Sequence, residues 1–439
     1  MLALITAFAA TLYILGVGIF AFFTVCTLRD DVNHGLFTGV LRRFLFWSEL
    51  FCSTLAEVPL HLIVMRLVCI KVSQLFGAFD YTLARCAYFI DNLTMFGLTV
   101  LFIESIRENE VVEKVIKEFC QRQALDSVAS KLRLPNFGRL LNPVWRPQNV
   151  LIYPDISYAT HEEKLKAIKD AGNDYGQPRK MLLDIYTSTE KSSGLRPVLV
   201  HVHGGAWKTG SKNIFYPHEQ VLLSENNWVI VNIGYRLAPK NAYPTHLKDV
   251  KRALRWVKRN ISCYGGDPDF VVLSGDSAGA HLAAMTVFTE NDAQYQEGFE
   301  DVDTSVRGLI SFSGALDISS DPRRGEFFTR EVARMEKIDA EFLSSHSPID
   351  LLEKAKAENK IVPTLLIAGA QDSLINSSTS EKFKDCYNKV IGSDKPMQQC
   401  TLLTLRAGHH ISYISWSPRS FYVTKLIQTW CDHLYEKNK

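Results

Sequence analysis

The chain has 439 residues, 46% of them hydrophobic and 22% charged, with 49 Lys and Arg against 47 Asp and Glu. This is too apolar for a disordered chain and too mixed for a transporter built of membrane spans throughout. A net charge of +2 gives no electrostatic reason to expect a nucleic-acid partner. Nine cysteines without a CxxC pair or regular spacing argue against a disulfide scaffold or a zinc cluster.

Residues Met1 to Leu28 carry no charged side chain, and about 20 apolar residues suffice to cross a bilayer. The first basic side chain, Arg29, follows the apolar run, which favours a retained anchor at about residues 3–28 over a cleaved signal peptide. Arg29, Arg42 and Arg43 favour a cytosolic position for that flank. The stretches Phe44 to Met65 and Cys86 to Ile103 are weaker spans because they contain Glu49, Glu57 and Asp91. An acid at mid-membrane costs about 2.5–3.5 kcal/mol on insertion scales. Each stretch reads either as a further span or as an amphipathic helix lying on a membrane surface or packed on the following domain. Residues 1–105 are thus expected to form a helical membrane-anchoring region. Residues 106–148 read as a connector: a solvated helix from Glu104 to Arg133, then a proline-rich linker.

After Val150 the texture changes. Short β-rich runs (MLLDIYTS, RPVLVHVHG, NWVIVNIGY, DFVVLSGDS, RGLISFSGA, IVPTLLIAGA) alternate with helical segments such as Leu247 to Asn260, Ala278 to Phe288 and Ser380 to Lys389. Continuous apolar strands separated by helices predict a mostly parallel sheet covered on both faces, here over residues 149–437.

Three features on this scaffold carry chemistry. Gly275-Asp276-Ser277-Ala278-Gly279 follows a predicted strand and opens a predicted helix, the setting of a strained nucleophile elbow. His203-Gly204-Gly205-Ala206-Trp207 follows another strand; amides of Gly204, Gly205 or Ala206, with that of Ala278, are expected to face a developing oxyanion. The chain order serine, acid, histidine then selects Asp372, with Asp317 as the competing acid, and His409 as the base, with the adjacent His410 as its alternate. Asp276 and His281 flank the elbow and are read as supporting residues. No metal and no organic cofactor is called for by this chemistry.

The segments HVHGGAWKTGSK, NIGYRLAPKNAYPTHLKDVKRALRWVKRN, YGGDPDFVVLSGDSAGAHLAAM and GAQDSLI together resemble the α/β-hydrolase serine esterases of the hormone-sensitive-lipase-like group. Within that group they are similar to membrane-anchored bacterial lipase/carboxylesterases, with kinship to isoprenylcysteine methylesterase-like and kynurenine-formamidase-like enzymes. The resemblance covers about residues 181–410. It implies an α/β-hydrolase fold with Ser277 as nucleophile, Asp372 as acid, His409 as base, and Gly204 and Gly205 in the oxyanion hole. Where relatives often carry an acid shortly after the base, this chain has Ser412.

The expected function is hydrolysis of a small-molecule or lipid ester with apolar groups, at a membrane, with the endoplasmic reticulum as the default compartment. The competing readings are an amidase using the same triad and a non-catalytic membrane protein that kept the fold. The amino-terminal helices and residues 321–347 are expected to cover the site. Asn92, Asn260 and Asn376 lie in N-x-S/T sequons.

Overall fold

The computed structural model describes residues 2–29, 44–125, 137–170, 176–190, 192–392 and 398–438. Arg42 and Arg43, invoked above for orientation, lie outside them. Among the described residues the chain opens with the α-helices α1 (Leu2–Leu28), α2 (Leu45–Glu57), α3 (Pro59–Leu75) and α4 (Thr82–Arg122). By length and composition, α1 and α4 are long and apolar enough to cross a membrane. Helix α2, with 13 residues rising about 1.5 Å each, is too short.

Large apolar side chains point outward along α1 (Leu4, Phe8, Leu12, Leu15), α3 (Val64, Val68, Val72) and the first half of α4 (Leu83, Phe89, Leu93, Phe96). Tyr13, Val17, Ile70, Ala84 and Ala87 form a small core between these helices. Asp91 is turned into that core. It accepts hydrogen bonds from Arg66 Nε (2.9 Å), Arg66 Nη2 (2.8 Å) and the Tyr13 hydroxyl (2.9 Å). The insertion cost that argued against a span over Cys86 to Ile103 is therefore offset by an internal ion pair.

That stretch and the expected connecting helix are one element. Helix α4 runs for 41 residues without a break at 105–106. Its second half is not a free solvated helix: Val112, Ile116, Phe119 and Cys120, at helical spacing, pack into the hydrophobic core of the following domain.

That domain is built on eight strands: β1 (Val150–Ser157), β2 (Leu182–Ser188), β3 (Arg196–Val202), β4 (Val229–Ile233), β5 (Gly266–Asp276), β6 (Gly308–Phe312), β7 (Thr364–Gly369) and β8 (Thr401–Leu405). They form one sheet in the order β1-β2-β4-β3-β5-β6-β7-β8. The β1–β2 and β2–β4 pairs are antiparallel and the other pairs parallel. The crossovers are helical, and the principal helices are α5 (Pro217–Asn226), α6 (Thr245–Asn260), α7 (Ala278–Phe288), α8 (Ser377–Ile391) and α9 (Pro418–Glu436).

Alternate strand residues feed two cores. Val198, Val200 and Val202 of β3 join α6, α7 and α8 on one face, whereas Leu199 joins α5, α9 and the end of α4 on the other. Both faces are thus covered, which is why β3, β4, β6 and β7 are buried along their whole length. All nine cysteines are free.

Candidate active site

The site gathers at the carboxyl end of the parallel strands. Ser277 sits between β5 and α7 with φ 53° and ψ −116°, a region that a residue with a side chain occupies only under strain. Neighbouring backbone enforces it. The Ser277 amide donates to Phe312 O at 2.8 Å, and the Ser277 carbonyl accepts from the His281 amide. Gly279 has no room for a side chain, since a Cβ would lie 2.0 Å from Val202 O. The glycine lets α7 pack against the end of β3, so the motif spacing encodes a close approach.

Asp372 follows β7. Its Oδ1 accepts from the amides of Leu374 (2.9 Å) and Ile375 (2.8 Å), and its Oδ2 faces His410 Nδ1 at 2.7 Å. Both side chains are buried. Burial works to lower the His410 pKa, but the Asp372 carboxylate dominates and the imidazole is held above its ordinary value. His410 and Ser277 line the same cavity.

His409, the expected base, is placed elsewhere. Its Nδ1 faces Glu49 at 3.1 Å and its Nε2 faces Thr27 O at 3.3 Å. The two loops explain the choice: the Ala370 amide donates to Leu405 O and the Gln371 amide to Gly408 O, which puts Asp372 beside residue 410. The His409 amide donates to Ser412 Oγ at 2.6 Å, turning the preceding peptide away. Asp317, the competing acid, is engaged by Lys382 at 2.7 Å and by the Ser320 amide at 3.0 Å. His281 bonds His346 O at 2.9 Å and faces the Trp207 ring edge-on.

The glycine loop is also corrected at one position. The Gly204 amide donates to Asp276 Oδ1 at 2.9 Å and so is not available to an oxyanion. Among the described residues no backbone carbonyl accepts from the amides of Gly205, Ala206 or Ala278. Gly205 holds φ 116°, and Ala206 and Trp207 also have positive φ, so this loop is as strained as the elbow it faces.

Asp276 ties loop and elbow together, a role that adjacency to Ser277 alone did not reveal. Besides Gly204, it accepts from the Tyr216 hydroxyl at 3.1 Å and lies 3.2 Å from His201 Nε2. Burial works to raise its carboxyl pKa, but the bond and charge of His201, with His203 and Tyr216, hold it below the usual value. His203, stacked on Tyr235, is fully buried, and that burial pushes its pKa down to about 4.

Beneath the elbow, His201, His218 and Glu219 bring their ligating atoms within 4.8 Å of one another. Both His201 nitrogens already have partners, Ser274 at 2.9 Å and Asp276 at 3.2 Å. Glu219 Oε2 accepts from the Tyr216 amide at 2.9 Å and from Asn232 at 3.1 Å. His201 and Glu219 thus belong to a hydrogen-bonded framework beneath the elbow, whereas His218 Nε2 and Glu219 Oε1 have no hydrogen-bond partner among the described residues.

The cavity over Ser277 measures about 290 Å³. Its walls include Trp207 and Phe327, Leu374 and Ile375 after the Asp372 turn, and Leu45 and Phe46 of α2. Asp321, Arg323 and Arg324 supply a polar side. The amino-terminal helices and the segment after Asp321 thus both border the site, as expected from the sequence.

Residues 183–387 match the BD-FAE family. Esterase LipQ of Mycobacterium tuberculosis is 32% identical over 266 residues, covering 58% of this chain and 60% of LipQ. The probable carboxylic ester hydrolase LipM of the same organism is 34% identical over 237 residues, covering 52% of this chain and 54% of LipM. The chain therefore spans little more than half the length of these relatives. Esterase B of Lactobacillus rhamnosis shares the fold, with a TM-score of 0.53 at 19% identity over 76% of this chain and 97% of the esterase. The fold is that of an α/β-hydrolase, and the sequence is similar to esterases of that fold.

Proposed function

We propose that the chain is a membrane-associated carboxylic ester hydrolase that works through an acyl-enzyme on Ser277. The carrying observation is the buried Asp372–His410 pair bordering the same cavity as a serine held at a strained strand–helix turn. With Nδ1 engaged by Asp372, His410 has Nε2 left to take the Ser277 proton as Oγ bonds to the acyl carbon. The carbonyl oxygen becomes an oxyanion, held by amides from Gly205, Ala206 and Ala278, and the start of α7 favours the same charge. The tetrahedral species collapses, the ester C–O bond breaks, and the alkoxide leaves with the proton from His410. Water, deprotonated by His410, then attacks the acyl carbon and returns Ser277 to its free form.

Leu45, Phe46, Trp207, Phe327, Leu374 and Ile375 support a substrate with apolar groups. The outward apolar belt of α1, α3 and α4 supports a membrane setting, where lipid-like esters are concentrated. A fluorophosphonate probe on the detergent-solubilised full chain should label Ser277, and Ser277→Ala should lose both labelling and ester turnover, the latter by about 10⁴-fold or more. A folded wild-type chain that takes no label and cleaves no p-nitrophenyl ester overturns this reading.

A further inference from the structure

Glu49 belongs to the helical region, 361 residues before His410, yet its carboxylate lies among the loops of the hydrolase site. It is fully buried. Oε1 accepts from the His410 amide at 2.9 Å and lies 3.1 Å from His409 Nδ1; Oε2 accepts from the hydroxyl of Ser373, the residue after Asp372. One carboxylate therefore bridges the loop that carries Asp372 and the loop that carries His410. Burial works against its ionisation, but the bonds from His409, Ser373 and the His410 amide hold it below the usual carboxylate range. Helix α1 adds Thr27 O on the other nitrogen of His409, so that ring is clasped between two amino-terminal helices. Leu45 and Phe46 stand four and three residues before Glu49, on the same face of α2, and form part of the cavity wall.

We propose that Glu49 is a positioning residue for His410, and that the amino-terminal helices thereby complete the hydrolase site in addition to any role as an anchor. The proposal rests on the reading of Ser277, Asp372 and His410 as the reacting triad. None of these Glu49 bonds is to a reacting atom. Glu49 fixes the peptide on which the base is mounted and adds a third negative charge near the imidazole, beside those of Asp372 and Asp276.

The test uses the full chain in detergent, with active sites counted by fluorophosphonate labelling and turnover measured on a p-nitrophenyl ester. Glu49→Gln keeps the shape but withdraws the charge and one acceptor. It should lower kcat per labelled site about tenfold to a hundredfold, leave KM within about twofold, and move the acid limb of the pH profile to lower pH. Glu49→Asp should recover part of the rate. An unchanged kcat and an unmoved acid limb in a folded Glu49→Gln chain overturn the proposal, and the wild type then remains an esterase. Should Glu49→Gln not fold, Glu49→Asp decides alone: wild-type kcat and pH profile overturn the proposal, a lowered kcat with retained KM supports it. A wild type that takes no label overturns the triad reading instead, which separates the two failures.

Discussion

The two halves of α4 solve opposite problems with one continuous helix. From Leu83 to Ile103 most large apolar side chains face outward, with Leu98 and Leu101 turned in, and the one acid, Asp91, faces in; from Glu108 to Cys120 its apolar stripe faces in against the sheet. The buried acids of the helical region divide the same way. Asp91 is satisfied within that region by Arg66 and Tyr13, whereas Glu49, Glu57 and Glu108 are satisfied across the boundary, by groups of the hydrolase. Glu57 accepts from Ser417 Oγ at 2.7 Å and pairs with Arg419, which also lies 3.5 Å from Glu108. Glu108 accepts from the amides of Arg406 and Ala407, just after β8. An acid in an apolar segment thus marks either an internal ion pair or a contact with a partner surface, and only the second kind reaches the site.

The sharpest way to break this division is at the paired histidines, one turned to each side of the boundary. His410→Ala should cut kcat by about 10⁴-fold or more, because it removes the proton acceptor. His409→Ala should cost about tenfold, through the loop alone. Equal losses measured on labelled, folded protein would mean the two rings share one task.

Next in size is a contrast of two buried arginines. Arg419→Ala leaves Glu57 and Glu108 buried without their cation and should cost about 3–5 kcal/mol, read as a lower Tm and faster proteolysis between the two regions. Arg66→Ala orphans Asp91 on the other side. It should loosen the helical region but leave Ser277 labelling within about twofold. Loss of Ser277 labelling in Arg66→Ala would erase the distinction between the two kinds of acid.

The smallest effect is in pH. Asp372, Glu49 and Asp276 hold the His410 pKa above the ordinary value, and the base works only when neutral. Activity must therefore fall as pH drops through that raised value, so the acid limb of kcat/KM should lie above the unperturbed histidine value of about 6.5. Withdrawing negative charge should move the limb down, further for Asp372→Asn than for Glu49→Gln. A limb at or below the ordinary value would show that these carboxylates do not act on the base.

Much of the hydrolase was readable because its physics is local. Apolar runs marked strands β2 to β7, and helical periodicity recovered α7 from Ala278 to Phe288. Strand β1 escaped because it lies at the sheet edge with mostly exposed side chains, and its pairing slips between Tyr153 and Ile156, where Asp155 has positive φ. That Ser277 and Asp372 each follow a strand was legible from the apolar runs that precede them. Choosing between His409 and His410 was not, because loop hydrogen bonds from Ala370 and Gln371 decide which ring meets Asp372. The Gly204 amide looked free in the sequence, but Asp276 takes it, a contact across 72 positions. Glu49 was visible only as a penalty against a span. Its partners lie more than 300 residues away, beyond any pattern of spacing.

Helix α4 has one mechanical corollary. At about 1.5 Å per residue its 41 residues make a rod of roughly 60 Å, whose far end caps the sheet and whose near end carries the outward apolar belt. Such a rod sets the height and the compass heading of the Ser277 cavity relative to the apolar belt. One residue added at its midpoint would swing the two ends by about 100° relative to each other, so the length of this strut is itself a determinant of which way that cavity faces.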